Sequence, residues 1–345
     1  MSMTVDVTEL SSGDDAELSS FLDSLAQRSG SVLGYHYPFY RGMLERVGVG
    51  RPLYLGARIF GQLIGLLPVF IRESPDGSAL CSLPFFGPNG GVLCVPEHAA
   101  EAHEALLSEI LRVGVQRNAM SCSVYTPFLL QDFALYDSTF AGATVVTRST
   151  QYLELPAIQW SKEIQYDLRK AQRSAMQVTT EVTAERLAQF YEIYRQNCED
   201  NGIPPKPWEC IEFLADEKLQ GRYAQFYFAI LDDKVIAGLL VLSSPATASY
   251  YVPCTLKDYR SHQPGTLLIA RAMEDAKARG LKYWNWENSA DRSGVFHFKK
   301  KWGSVEQEYR IYVKALQPEE RLRELGRDRI TEMFPYFFVW PFEKL

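Results

Sequence analysis

The chain has no C-x-x-C pair. Its six cysteines stand singly at 81, 94, 122, 198, 210 and 254. That spacing excludes a zinc knuckle and a compact disulfide scaffold, and it fits reduced thiols in a cytosolic protein. Histidine is scarce as well: there are five, and the nearest pair, His98 and His103, does not share a helical face at that spacing. No metal site is expected. Positive charge is not in excess. A net charge of −6 argues against a broad basic surface for nucleic acid and leaves room for a local basic groove. No apolar run reaches the ~18 residues of a spanning helix. Met1-Ser2-Met3-Thr4-Val5-Asp6 has neither the basic start nor the apolar core of a secretion signal. These absences set the expectation of a cytoplasmic protein without a transmembrane segment.

What is present is apolar mass. Hydrophobic residues make up 46% and aromatics 13% of 345 residues, enough for two domains with substantial cores. The chain also repeats itself. Pro52–Arg58 and Leu63–Val69 flank a short turn, and Gln225–Leu231 and Val235–Val241 flank another; an offset of 173 residues superposes Tyr54 on Tyr227. Each pair reads as a β-hairpin. The second strand of each holds a glycine, Gly65 or Gly238, which suggests a bulge or a close backbone approach. A further strand follows each hairpin (Leu80 to Pro84, Ser249 to Pro253), then a helix with apolar residues at helical spacing (His98 to Gln116, Thr266 to Arg279), then another strand (Met120–Tyr125, Lys282–Glu287). Helices over Ala16–Arg28, Glu185–Asp200 and Trp208–Gln220 precede the hairpins. Recurrence of this order predicts two copies of one α/β (α+β) unit, each a mixed, mostly antiparallel sheet flanked by helices.

The junction falls near 156–182. A helix over 161–176 carries an apolar stripe, Ile164, Leu168, Ala171 and Ala175, and a basic face with Lys162, Tyr166, Arg169, Lys170 and Arg173. That face is either a solvated linker surface or a wall that binds anions. The expected division is 1–158 for the first domain, 159–316 for the second and 317–345 for a C-terminal helix and tail. The tail Met333–Phe342 is apolar and holds two prolines. It reads as a segment that packs on the body or supplies a homodimer surface.

Chemistry concentrates late in the chain. Phe298-Lys299-Lys300-Lys301-Trp302-Gly303 follows a polar turn over 288–294, itself after the strand ending at Glu287. Aromatics at 296, 298 and 302 can anchor a short helix. A cation held there could meet a phosphate, a carboxylate or a developing oxyanion. Tyr250 and Tyr251 alternate along their strand, so one faces the core and the other a groove. The strand 249–254 holds no carboxylate; Asp258 stands in the loop after it and Glu287 at the end of the next strand. Arg260-Ser261-His262-Gln263-Pro264-Gly265-Thr266 precedes a helix, with Arg260 placed to meet a phosphate, but Pro264 removes one backbone donor.

The ordered set resembles the FemAB-like family of tandem GNAT-fold transferases, which includes FemX-type aminoacyltransferases and acetyltransferase-like proteins of cellulose and exopolysaccharide operons. The residues that carry the resemblance are Leu83-Pro84-Phe85 with Gly90-Gly91, the face Arg169/Lys170/Arg173, Asp233–Gly238 and the Phe298–Gly303 run. It covers roughly residues 20 to 315. The resemblance implies two tandem GNAT-like domains and transfer of an acyl or aminoacyl group onto an amine of a cell-envelope or polysaccharide precursor. It implies that Lys299 stabilises the acyl carbonyl as charge develops, with Glu287 as the base candidate. Arg169, Lys170, Arg173, Arg260 and Gly265 would hold phosphates, and Tyr250 and Tyr251 would line the groove. The donor is acyl-CoA or aminoacyl-tRNA. The acidic net charge and the absence of a heptad insertion disfavour tRNA. The acceptor is a small or nucleotide-linked amine. The alternative is a catalytically silent module of the same fold that binds a ligand or partner.

Overall fold

A computed structural model describes residues 4–85, 89–288 and 292–342. Met1–Met3 and Ser289–Asp291 of the expected polar turn lie outside the described residues. The chain divides into two compact units, Met1–Arg148 with Glu308–Leu345, and Ser149–Gln307. In chain order the first unit begins with β1 (Asp6–Leu10), α1 (Asp15–Arg28), α2 (Pro38–Arg46), β2 (Arg51–Ile59), β3 (Gln62–Ser74), β4 (Gly77–Ser82), β5 (Leu93–Cys94), α3 (Ala99–Gln116), β6 (Ala119–Tyr125) and α4 (Ala134–Thr139). The chain passes out of it along β7 (Thr144–Glu154). The second unit holds α5 (Lys162–Arg173), β8 (Gln177–Thr179), α6 (Ala184–Asp200), α7 (Trp208–Leu214), β9 (Ala224–Leu231), β10 (Lys234–Ser243), β11 (Thr247–Thr255), α8 (Pro264–Ala278), β12 (Tyr283–Asn288) and α9 (Gly294–Lys301). The chain returns along β13 (Val305–Ala315), and α10 (Glu319–Met333) completes the first unit.

Each unit repeats the same strand logic. In the first the order is β1-β2-β3-β4-β6-β13, antiparallel except for β4 with β6. In the second it is β8-β9-β10-β11-β12-β7, antiparallel except for β11 with β12. The closing strand of each unit comes from the other side of the sequence. β7 precedes its unit and β13 follows the unit it leaves. The expected bounds at 158 and 316 therefore differ from the observed ones. Helix and strand periodicity locates strands but does not say which neighbour they pair with. The C-terminal helix and tail, given bounds of their own at 317–345 in the expected division, pack in the first unit.

The two hairpins are built alike. Phe60 (φ 49°) and Gly61 (φ 80°) turn the first, and Asp232 (φ 49°) and Asp233 (φ 58°) turn the second. Two consecutive left-handed residues match the right-handed twist of the flanking strands, which is why two-residue hairpin turns take this form. Both glycines serve close approach. A Cβ on Gly65 would stand 3.0 Å from Ala102 Cβ on α3. On Gly238 it would run into the ring of Phe190 on α6, a fully buried side chain packed edge-to-face against Phe226 and Phe228. Gly238→Ala is expected to lower the unfolding free energy by about 1–3 kcal/mol, the usual cost of overpacking. In chemical denaturation Phe190→Leu should recover much of that loss when combined with it, because the two sites share one contact. Additive losses would mean the ring is not the obstacle.

The cores follow from these elements. In the first unit, α3 covers one face of the sheet through Ala102, Leu106, Leu107 and Ile110, and α10 and the tail cover Ala79, Met120, Ile311 and Val313. The tail is thus used within its own unit. Phe334, Val339 and Trp340 are buried, Ser121 Oγ donates to the Val339 carbonyl at 2.7 Å, and Phe85 packs against Tyr336. The surface that the sequence offered for a homodimer is largely covered by this packing. In the second unit, α5 and α8 cover a core that includes Trp284, Trp286 and Trp302. α5 starts at an N-cap, Ser161, whose hydroxyl accepts from Ile164 N at 3.2 Å. It ends at Arg173 rather than at 176, because Ser174 is extended. α7 likewise stops at Leu214, short of the expected Gln220. No helix among the described residues is long and apolar enough to cross a membrane.

Candidate active site

The second unit's sheet opens at a fork. β11 and β12 pair in parallel over only Thr247↔Tyr283, Ala248↔Trp284 and Ser249↔Asn285. Both strands continue, and both change register with their other neighbour just beyond the last shared pair. β11 shifts against β10 where Val241 faces Tyr250 and Leu240 faces Val252, leaving Tyr251 as the extra residue. β12 shifts against β7 between Asn285 and Asn288. Such bulges bend a strand and re-aim its side chains, which is why they recur beside active sites. Here the two residues two places past the last pair are Tyr251 and Glu287.

Glu287 is held in an unusual backbone conformation, with φ 60°. A non-glycine residue there costs about 1–3 kcal/mol and persists only where its surroundings impose it. Two neighbours do so. Asn285, fully buried, accepts from Glu287 N at 3.0 Å through Oδ1 and donates from Nδ2 to Glu287 Oε1 at 2.8 Å. Asn285 Nδ2 also lies 3.4 Å from Ser249 Oγ, across the last shared pair. The second neighbour is Lys299, whose Nζ donates to the carbonyls of Glu287 and Asn288, each at 3.0 Å.

The three adjacent lysines have three fates. α9 starts at Ser293, whose hydroxyl caps Phe296 N at 3.2 Å, and Gly303 (φ 86°) follows its end. Phe296 and Trp302 anchor it, with Trp302 packed against Trp286, Phe298 and Trp160. The spacing turns Lys299 inward to 2% exposure. Lys300 stays exposed and bonds the Ser304 carbonyl at 3.4 Å, and Lys301 pairs with Glu163 on α5. Burial pushes the Lys299 ammonium down to about 8, against the opposing pull of the Glu287 carboxylate. Lys299 was expected to aim its charge at an acyl oxygen. Two of its three N–H groups instead serve main-chain carbonyls, which makes it a strut for the strand end that carries Glu287.

A further lysine, missed by the sequence reading, completes the cluster. Lys206, 9% exposed, lies between α6 and α7 and sets its Nζ 4.9 Å from the Tyr251 ring centre. Its backbone is pinned on both sides: its N–H donates to Tyr194 Oη at 2.9 Å, and its carbonyl accepts from Tyr191 Oη at 3.1 Å. Burial lowers its ammonium to about 8, opposed first by Glu287. The available signal was Pro204-Pro205-Lys206-Pro207, a lysine fixed by prolines on both sides.

The other expected residues distribute as follows. Tyr250 packs on Trp284 and Trp286, on the core side, and Tyr251 lies on the opposite side under Lys206. Arg169, Lys170 and Arg173 are exposed on α5 and have no ion-pair partner among the described residues. α5 packs on the face that carries Trp284 and Trp286, whereas Asn285 and Lys206 belong to the other face. The basic helix face is therefore not brought into the Glu287 cluster. Arg260 and Asp258 are exposed on the turn before α8. α8 begins with Pro264 after Gln263, which is left-handed at φ 59°. Gly265 meets nothing closer than ordinary contact, Thr255 Oγ1 at 3.5 Å from a built Cβ.

Comparison with known proteins agrees with this architecture. Residues 160–298 match the family described as an acetyltransferase (GNAT) domain. No curated protein matches the chain. Among solved structures it is similar to FemX, with TM-score 0.66, 12% identity, and coverage of 93% of this chain and 99% of that one. It is also similar to a tandem GNAT protein from the clavulanic acid biosynthesis pathway (TM-score 0.56, 14% identity, 91% and 99% covered). A third likeness is to L-PGS from Bacillus licheniformis (TM-score 0.60, 11% identity, 91% and 96% covered). At these identities the likeness is one of fold, and the fold is the GNAT fold in tandem.

Proposed function

We propose that this tandem GNAT-fold protein of the FemAB-like kind is an N-acyltransferase that moves an acyl or aminoacyl group onto an amine at the β11–β12 fork. The observation that carries the reading is Glu287. A carboxylate on a strained bulge, at the point where two parallel strands part, is held by Asn285 and Lys299. Strain kept by dedicated hydrogen bonds is a mark of function. The GNAT-domain match over 160–298 supports the same reaction class.

In this reading the donor carbonyl lies along the unzipped edge of β11, and the acceptor amine is held as its ammonium by the Glu287 carboxylate. The acceptor ammonium gives one proton to solvent, its nitrogen bonds to the carbonyl carbon, the bond from that carbon to the donor's sulfur or oxygen breaks, and the second nitrogen proton leaves with the thiolate or alkoxide. Lys299 keeps Glu287 in place. The donor is acyl-CoA or aminoacyl-tRNA, and the acceptor an amine of a cell-envelope or polysaccharide precursor in the cytoplasm. Arg169, Lys170, Arg173 and Arg260 are the cations available for its phosphates, with Gly265 at the start of α8. A silent binding module of the same fold is the second reading. The proline at the first position of α8 favours it, since it removes a donor from the helix end where an anion would be gripped.

Glu287→Gln separates the two. It keeps the shape and the Asn285 contact and removes the charge. Transfer from acetyl-CoA or charged tRNA to an amino-sugar acceptor, followed by mass spectrometry of the product, is expected to fall about a hundredfold. Equal rates in both proteins would remove Glu287 from the site. Ligand binding by wild type without turnover would favour the silent module.

A further inference from the structure

The main chain of β11 beyond the fork sets what kind of donor can pair there. Ser249 is the last residue that β11 shares with β12. Past such a point a strand edge ordinarily offers N–H and C=O groups in turn to any extended arm that carries amides. The directions of those groups follow from the register. Just beyond β11, Leu256 N donates to the Ile236 carbonyl at 2.9 Å, toward β10. Sides alternate along a strand, so the main-chain groups of Cys254 also face β10, and those of Thr255 and Pro253 face the fork.

Neither fork-facing residue offers an open N–H. Pro253 has none by its chemistry, and it is tolerated there because the position leaves no ladder bond unmade. Thr255 has one, but Asn197 on α6 takes it. Asn197 Oδ1 accepts from Thr255 N at 2.8 Å, and its Nδ2 donates to the Thr255 carbonyl at 3.0 Å. These are the two bonds that a neighbouring strand would make. The helix is seated for this task. Phe190 packs on Gly238 of β10, Cys254 Sγ bonds the Phe190 carbonyl at 3.6 Å, and Asn197 stands two turns further along the same face of α6. Pro253 is exposed. Past the bulge, the fork side of β11 therefore presents the Pro253 carbonyl and no open N–H.

An acyl thioester of coenzyme A carries its acyl group at the end of an arm with two amides. Such an arm pairs as an added strand only where an edge supplies both N–H and C=O. We propose that Asn197 is a specificity-determining residue: with Pro253 it closes the outer edge of β11 to that arm, so that the fork takes its acyl group from an oxygen ester, the aminoacyl ester of an RNA 3′ hydroxyl. The inference rests on the acyl-transfer reading of the fork. With an ester donor the acceptor ammonium gives one proton to solvent and its nitrogen bonds to the carbonyl carbon. The C–O bond then breaks, and the alkoxide leaves as a hydroxyl with the second nitrogen proton.

Three measurements on the full chain test this. The first is hydrogen–deuterium exchange of the Thr255 amide, expected at least tenfold faster in Asn197→Ala than in wild type. Equal exchange would mean that Asn197 does not hold the edge, and would overturn the proposal. The second is calorimetric titration with CoA of wild type, Asn197→Ala and Asn197→Ala/Pro253→Val, each checked for folding by circular dichroism. Asn197→Asp, which accepts from Thr255 N but cannot give to its carbonyl, replaces Asn197→Ala if that variant does not fold. Wild type should give little or no heat at millimolar CoA, and opening the edge should tighten binding at least tenfold. Variants that bind CoA no tighter than wild type would overturn the role of Asn197. The third is transfer to an amino sugar by wild type, expected from charged tRNA and not from acetyl-CoA. Equal transfer from acetyl-CoA would end the inference and leave the fork reading standing. Amide from neither donor would end the fork reading, and the inference with it.

Discussion

Lys299→Met is expected to cut transfer by up to about a hundredfold, the loss expected for Glu287→Gln, and to lower the unfolding free energy by about 2 kcal/mol. From sequence alone this lysine passes for a surface residue whose loss leaves the fold untouched. At 2% exposure, with its amine on the Glu287 and Asn288 carbonyls, it is not one. Methionine fills the volume but leaves two carbonyls short of a donor, at about 1–3 kcal/mol each where no water replaces it. Relief of the buried ammonium's desolvation offsets part of this cost. The activity loss follows from release of the bulge: without its strut, Glu287 can relax from φ 60°. Steady-state kinetics should show the loss in kcat more than in KM, and thermal denaturation a drop of a few degrees. Unchanged melting would contradict the strut, and unchanged kcat its link to the site. A pH signature accompanies it. Folded Lys206 and Lys299 release protons near 8, well below the ~10.4 of a solvated lysine. Over that window the unfolded chain binds more protons, so these two groups raise stability as pH rises. Lys299→Met should flatten that rise.

Gly91→Ala carries the largest expected stability loss in the first unit, about 3 kcal/mol. The run Asn89-Gly90-Gly91 reads as a turn, and the structure adds a packing demand at Gly91. A Cβ there would lie 2.5 Å from Pro127 Cδ, 2.5 Å from the Tyr125 carbonyl oxygen and 2.6 Å from Tyr136 Oη. None of these can step aside cheaply. One is main chain, one is a proline ring, and the Tyr136 hydroxyl is engaged by Val92 N at 2.7 Å. Gly265→Ala is the matched control, because its Cβ would make only ordinary contact with Thr255. Urea denaturation should separate the two clearly. Similar midpoints would mean the segment around Gly91 relaxes more readily than its packing implies.

Much of the architecture can be read from the chain, for definable reasons. The hairpins are legible because Tyr54 and Tyr227 sit in equivalent apolar runs on either side of two-residue turns. Gly65 and Gly238 are legible as close approaches, though Phe190 is visible only in the fold. The exchange of β7 and β13 is not legible, since apolar alternation is the same whichever neighbour a strand takes. Glu287 is legible as a base candidate at the end of the strand before the lysine run, but its left-handed backbone depends on Asn285 and Lys299 acting together. The inward turn of Lys299 follows from the anchors Phe296 and Trp302 at helical spacing. Lys206 is the least legible, because an isolated lysine between prolines acquires meaning only when the fold sets it over Tyr251.

The most direct test of the account is single-turnover transfer of a labelled acetyl group from acetyl-CoA, and in parallel of a labelled aminoacyl group from charged tRNA, to an amino-sugar acceptor. Wild-type protein and Glu287→Gln would be compared side by side. The account predicts a labelled amide with one donor class for wild type and about a hundredfold slower formation in the variant. Amide formation at equal rates in the two proteins, or no amide from either donor by wild type, would contradict it.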